Sequence, residues 1–300
     1  MDLSHVPVPI LIAITTVFGV LNYNLKSYYV KTRMTRESEQ YSFNALSCIF
    51  SAFALWALNG FTFGASVFSV LLGVAFGVIV MAHAIWNGKA VQEGPFGYTT
   101  VIVNMSTAIT ALSGALFWGE SLTPLKLVGI ALMLVCCAFA VDTTGDSGKK
   151  GGIKWFLLCI LALIASAGIG LMQKVHQTSE YKSELMGFLI ISFCTGAVIS
   201  ALAYLLLHRK ETALCGKPER KLLLPIVALV ATCGIGVAIN HSFNLFLSGA
   251  MDTSIFFPVI NGLPLLASLI VSFVIFKEKL KKKQLFGFAI GIAALVCLFI

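Results

Sequence analysis

Gly94–Val141, GPFGYTTVIVNMSTAITALSGALFWGESLTPLKLVGIALMLVCCAFAV, holds two apolar runs joined by a polar elbow, Gly119-Glu120-Ser121-Leu122-Thr123-Pro124. Each run is about long enough to cross a hydrocarbon core of about 30 Å as a helix rising 1.5 Å per residue. In the elbow, Thr123 is placed to cap the second helix, and Pro124 suits its first turn, where no amide partner is required. The first run carries Asn104, Ser106 and Thr107 at membrane depth. The stretch therefore reads as a helical hairpin with one face not meant for lipid.

The pattern returns near the C-terminus. A shift of 158 carries Glu120 onto Glu278, Leu122 onto Leu280 and Gly129 onto Gly287, and a shift of 157 carries Asn104 onto Asn261, Asn87 onto Asn244 and Trp86 onto Phe243. A chain that repeats at about half its length is most simply a duplication, and paired positions become the place to look for function.

Composition sets the setting. Hydrophobic residues make up 58% of the chain and charged ones 11%, with a mean hydropathy of +0.92. A soluble domain would carry about 25% charged residues, so a large soluble domain is excluded. The formal charge of +8 comes from basic residues in short loops between apolar runs. That is the mark of membrane topology and not of a nucleic-acid-binding face. Seven of the eight cysteines lie in apolar runs (Cys48, Cys136, Cys137, Cys159, Cys194, Cys233, Cys297), and none has metal-ligand spacing with a histidine. They read as small packing residues. No basic residue precedes the first apolar run, so that run reads as retained and not as a cleaved signal.

The sequence predicts an all-α integral membrane protein of ten spans, roughly 7–29, 40–61, 65–88, 95–118, 122–141, 153–175, 185–207, 222–247, 253–276 and 282–300. Residues 1–142 form a first five-helix repeat, 143–152 a connecting loop and 153–300 a second repeat. Five is odd, so consecutive copies enter the membrane from opposite sides and the repeat is inverted. Loops after odd-numbered spans carry 17 Lys and Arg residues, the opposite side only Lys126, Lys174 and Lys182, and Lys26 stays inside the first span. The positive-inside rule then places both termini outside a cell (plasma) membrane.

Gly94–Val141, with Asn104, Gly119-Glu120, Leu122-Thr123 and Gly129, resembles the EamA-like repeat of the drug/metabolite transporter superfamily. The second copy, with Asn261, Glu278, Leu280 and Gly287, resembles the same repeat. The likeness covers nearly the whole chain and is strongest in the last two spans of each half. It implies a ten-helix solute transporter built from two inverted five-helix repeats around a central cavity, working by alternating access. Its range of substrates, from amino acids and sugars to quaternary amines and drugs, names no single solute.

Polar groups inside spans usually face a bundle interior or a watery cavity. His83 and Asn87 share a face beside Trp86, and Asn240 and Asn244 share one beside His241 and Phe243. The two sets match at the 157 offset and are expected to line a cavity from both repeats; interhelical hydrogen bonding is the plainer alternative. Asn22 and Lys26 are four apart in the first span, as Gly170 and Lys174 are in the sixth. Each lysine either draws an anion to one mouth of a pathway or reaches the headgroups. Asn104 and Asn261 occupy matching places in spans four and nine. The ninth, Phe257-Pro258-Val259-Ile260-Asn261-Gly262-Leu263-Pro264, is expected to be interrupted at its prolines. Glu120 and Glu278 sit at elbows, where capping is the expectation.

Every acidic residue falls at or beyond a span end. With no carboxylate in mid-membrane to exchange a proton for a lipophilic cation, the site favours a small polar metabolite that is amino-acid-like, zwitterionic or anionic. A broad drug or quaternary-amine transporter of the same fold is the alternative, and a non-transporting receptor or membrane enzyme a remote one. No GxSxG or HExxH occurs, so no catalytic residue, metal ligand or cofactor is read from the chain. The partners it implies are a small-molecule substrate and membrane lipid, and no nucleic acid; a monomer fits, and the oligomeric state stays open.

Overall fold

The computed structural model describes residues 5–32, 37–94, 96–140, 152–215, 223–274 and 282–300. Among these lie eleven α-helices: α1 (Val8–Thr32), α2 (Glu37–Leu58), α3 (Val67–Glu93), α4 (Phe96–Asn104), α5 (Ser106–Phe117), α6 (Pro124–Ala140), α7 (Ile153–Thr178), α8 (Leu185–Cys215), α9 (Leu223–Ala250), α10 (Thr253–Val274) and α11 (Lys282–Phe299). A short 3-10 turn, Lys182–Glu184, leads into α8. Seven helical stretches are long and apolar enough to cross a membrane, and shorter apolar helices cover Val8–Asn22 and Pro124–Phe139. Their outward faces are greasy: Leu71 and Leu206 are 67% and 73% exposed. Such surfaces suit lipid and would be a liability in water. The chain is an all-helical, multi-pass membrane protein.

The helices gather into two compact units, one of Met1–Met81 with Ser179–Asn244 and the other of Ala82–Thr178 with Leu245–Ile300. The expected halves, 1–142 and 153–300, do not coincide with these units, because helices of each half pack most closely on helices of the other. In the first unit α2 lies along α8, and in the second α6 lies along α11.

Small residues bring the helices of the first unit close. A methyl group at Gly77 of α3 would sit 2.6 Å from the Ser192 carbonyl of α8, and one at Gly234 of α9 would sit 2.6 Å from the Ser47 carbonyl of α2. Ser51 uses that approach, donating to the Gly234 carbonyl at 2.7 Å. Tyr29, Phe43, Val230 and Cys233 form a buried cluster joining α1, α2 and α9. In the second unit α6 and α11 run antiparallel, with Gly129 against Leu298 and Gly291 against Cys136. Close approach through glycine and serine is the usual way membrane helices gain packing.

Two expectations need correction. Span nine does not break at its prolines: α10 continues through Pro258 and Pro264. Each proline gives up its own amide bond and crowds the carbonyl four residues back, yet the helix carries on, and Gly262 lets it press against Met133. The interruption falls in span four, where α4 and α5 meet at Met105. The Met105 amide is shared between the Val101 and Ile102 carbonyls, at 3.3 and 3.1 Å. The Thr110 hydroxyl competes for backbone acceptors one turn on, bonding the Ser106 and Thr107 carbonyls. Hydroxyls that bond backward in this way commonly bend helices. Secondly, span seven does not end at 207. α8 runs on to Cys215 because Arg209, Lys210, Glu211, Ala213 and Leu214 are all good helix formers.

The hairpin elbow is as its sequence reads. Gly119 turns the chain with φ +64°, the Thr123 hydroxyl accepts the Lys126 amide at 3.2 Å, and Pro124 opens α6. The matching elbow with Glu278 and Leu280, and the linker over 143–151, lie outside the described residues.

Candidate functional site

In the first unit α1 and α9 cross antiparallel, and their polar residues meet on that seam. Asn240 donates through Nδ2 to the Thr15 carbonyl at 2.8 Å. Asn244, one turn on, donates through Nδ2 to Asn240 Oδ1 at 2.9 Å. The chain of bonds stops there: Asn244 Oδ1 is buried without a hydrogen-bond partner, as is His241 Nδ1. The His241 ring meets Phe193 of α8 edge-on, with centroids 5.5 Å apart. Asn22 packs on the bare backbone of Gly236, and Phe243 is buried. Lys26 belongs to α1, with its side chain outside the described residues.

The matching set from α3 lies in the second unit. His83 Nδ1 faces the Ala162 carbonyl of α7 at 3.0 Å, and Trp86 and Asn87 are half-buried. Asn104 closes α4 at the break, half-buried. Asn261 is exposed at mid-helix in α10 and donates to the Thr107 hydroxyl of α5 at 2.9 Å. Neighbouring Ser106 shares a hydrogen bond with Ser166 of α7 at 2.8 Å. The two sets predicted from the 157 offset thus fall in different units. Within the second unit the break in span four gathers a row of hydroxyls and amides from α5, α7 and α10.

Lys174 corrects both readings of it. It neither waits at an open mouth nor reaches for headgroups. Its side chain is 6% exposed, and Nζ pairs with Glu120 Oε1 at 2.8 Å while donating to the Met251 carbonyl at 3.0 Å. The other Glu120 oxygen accepts the Thr253 amide at 2.6 Å and its hydroxyl at 2.8 Å. A buried ammonium needs such a partner, since an unpaired charge there would be very costly. Gly114 makes the room, because a methyl group on it would collide with both the Thr253 hydroxyl and the Glu120 carboxylate.

Sequence reading missed Thr15, Phe193, Gly114 and Thr253. Thr253 had a visible signal, the Asp252-Thr253-Ser254 run at a helix start. The others are set by tertiary contact alone. Among the described residues no three of His, Cys, Asp or Glu gather closely enough to hold a metal ion.

No protein-family model matches the chain, and no curated protein matches it. Among solved structures, one described as "Crystal structure of protein" is similar at 12% identity, over 97% of this chain and 95% of that one, with a TM-score of 0.75. At that identity the likeness speaks for the fold alone.

Proposed function

We propose that the chain is a secondary transporter or facilitator of the drug/metabolite transporter kind. Ten spans in two inverted five-helix repeats would carry a small polar metabolite, amino-acid-like, zwitterionic or anionic, across the cell membrane by alternating access. The observation that carries this reading is the pair of buried, unfilled polar atoms on α9, Asn244 Oδ1 and His241 Nδ1. An unpaired buried polar atom costs about 1–3 kcal/mol, and in a membrane no lipid tail supplies the missing bond. Such atoms at span depth call for water or a solute.

The packing of counterpart helices supports the inverted repeat. Spans two and seven are α2 and α8, α5 is the second part of span four and α10 is span nine, and spans five and ten are α6 and α11; each pair packs together. Each pair also runs antiparallel. Ser38 at the start of α2 meets Glu211 near the end of α8, Ala111 and Thr107 of α5 meet Thr253 and Asn261 of α10 in reverse order, and Phe139 of α6 meets Phe286 of α11. Copies related by a two-fold axis in the membrane plane would do this.

The test is uptake into proteoliposomes from a panel of amino acids, dicarboxylates, sugars and quaternary amines. Asn87→Ala and Asn244→Ala are each expected to lose most of the flux at normal expression. Undiminished flux in both variants would remove these residues from the pathway, and flux of no solute would remove the transport reading.

A further inference from the structure

The bonding order along α9 fixes the chemistry of its open end. The Thr15 carbonyl can only accept, so the Asn240 amide must turn its NH2 toward α1; the opposite flip would set oxygen against oxygen. Asn240 Oδ1 then faces Asn244, and Asn244 must answer with its own NH2. Its remaining atom, Oδ1, is an acceptor, buried and unfilled. The polarity of the whole run is thus set from a backbone carbonyl that no side-chain rotation can invert.

His241 lies three residues before Asn244 and so on the same helical face. Its Nδ1 is also buried and unfilled, and the Phe193 ring closes one side of it. The end of the ladder therefore presents a fixed amide oxygen, with an unpartnered imidazole nitrogen one turn back on the same face and the Phe193 ring against that imidazole. Whichever ring nitrogen of His241 carries the proton, the Asn244 oxygen is a receptor for a hydrogen-bond donor.

Resting on the transport reading above, we propose that this end holds the protonated amine of the solute, and that the cargo is a zwitterion bearing N–H donors. Every acidic residue lies at or beyond a span end, so a solute that carries its own counter-charge spares an ammonium held by a neutral acceptor the cost of an unpaired buried charge. An amino-acid-like molecule does so. A quaternary amine has no N–H to offer, so the same site discriminates against it: a site built around a hydrogen bond strongly rejects the analogue that cannot make one.

The experiment uses the full purified chain, with glycine, leucine, phenylalanine and glutamate each set against its N-trimethyl betaine, in thermal-shift binding and in proteoliposome uptake. At least one amino acid is expected to bind about ten-fold or more tightly than its betaine, and Asn244→Leu is expected to abolish that preference. Equal handling of every pair, no binding of any amine, or an unchanged preference in Asn244→Leu would overturn the proposal. The wild-type comparison needs no variant, so it decides the matter even if Asn244→Leu does not fold. Flux of betaines, sugars or dicarboxylates with no amine preference would sink this inference and leave the transport reading standing. Binding of amines with no flux would do the reverse.

Discussion

Glu120 holds Thr253 twice, through its amide at 2.6 Å and its hydroxyl at 2.8 Å, so the end of the α5 elbow caps the start of α10 from outside that helix. The arrangement recurs in the other unit. Glu184 accepts both the amide and the hydroxyl of Ser66 ahead of α3, at 2.8 and 2.7 Å. Glu211 takes the amide of Ser38 at 3.2 Å and its hydroxyl as well. The first amides of a helix have no intrahelical acceptor, and the positive end of the helix dipole favours an anion there. The acidic residues at span ends therefore staple one helix to the next.

The Lys174–Glu120 pair is expected to behave as a coupled unit. Lys174→Met alone leaves the Glu120 carboxylate half-satisfied in a buried place and should cost about 3–5 kcal/mol. Lys174→Met with Glu120→Gln removes both charges and should be less destabilised than the sum of the single changes. Unfolding midpoints of the four proteins in one detergent check this. Additive effects would mean that the pair contributes nothing as a pair.

Gly114 and Gly119 are irreplaceable for different reasons. Alanine at Gly114 would collide with the Glu120 carboxylate and the Thr253 hydroxyl, so Gly114→Ala should be destabilising by loss of the clamp. Gly119 meets nothing within reach but has φ +64°, so Gly119→Ala should cost about 1–2 kcal/mol through backbone strain. If the clamp is the cause, Gly114→Ala adds little once Glu120 and Thr253 are both replaced by alanine, while Gly119→Ala costs the same in both backgrounds. Equal penalties for Gly114→Ala in the two backgrounds would refute the assignment.

The Ser66–Glu184 cap is expected to be worth about 1 kcal/mol, typical of a carboxylate at a helix start. Glu184→Gln keeps a side-chain acceptor and should lose part of it, while Glu184→Ala should lose all. Hydrogen exchange over the first turn of α3 reads the effect locally. A first turn equally protected in Glu184→Ala would mean that Ser66 suffices as the cap.

Much of this was legible in the chain. Apolar runs give the helices directly, since a segment in lipid has little choice but to bond within itself. The Thr123-Pro124 signal gave a helix start because capping is local chemistry. The break at Met105 was not legible, because it depends on the competition of the Thr110 hydroxyl for backbone acceptors; prolines at 258 and 264 pointed to the wrong helix. Lys174 was misread for a similar reason. Its partner Glu120 is 54 residues away in sequence, and no spacing rule connects an elbow glutamate to a lysine in the sixth span. The spacing of Asn240 and Asn244 puts them on one helical face, but the acceptor they leave open is decided by the Thr15 backbone carbonyl, a group that every residue has and no sequence marks.

We propose that both termini lie outside, which with ten spans fixes the side of every span end. With ten spans and an outer N-terminus, spans three, five, seven and nine all begin outside. Ser66 before α3 contacts Glu184 before α8, and Lys126 in the first turn of α6 pairs with Asp252 before α10 at 2.8 Å; under this proposal each contact joins two outer ends. Lys154 at the start of α7 pairs with Glu93 at the end of α3 at 2.5 Å, joining two inner ends, as Ser38 and Glu211 do. In intact cells a membrane-impermeant maleimide should label His5→Cys and not Lys150→Cys, and permeabilisation should expose the second. The opposite pattern would reverse the sidedness while leaving the helix pairing untouched. Labelling of both before permeabilisation would break the ten-span count itself, because an odd number of crossings must lie between residue 5 and residue 150.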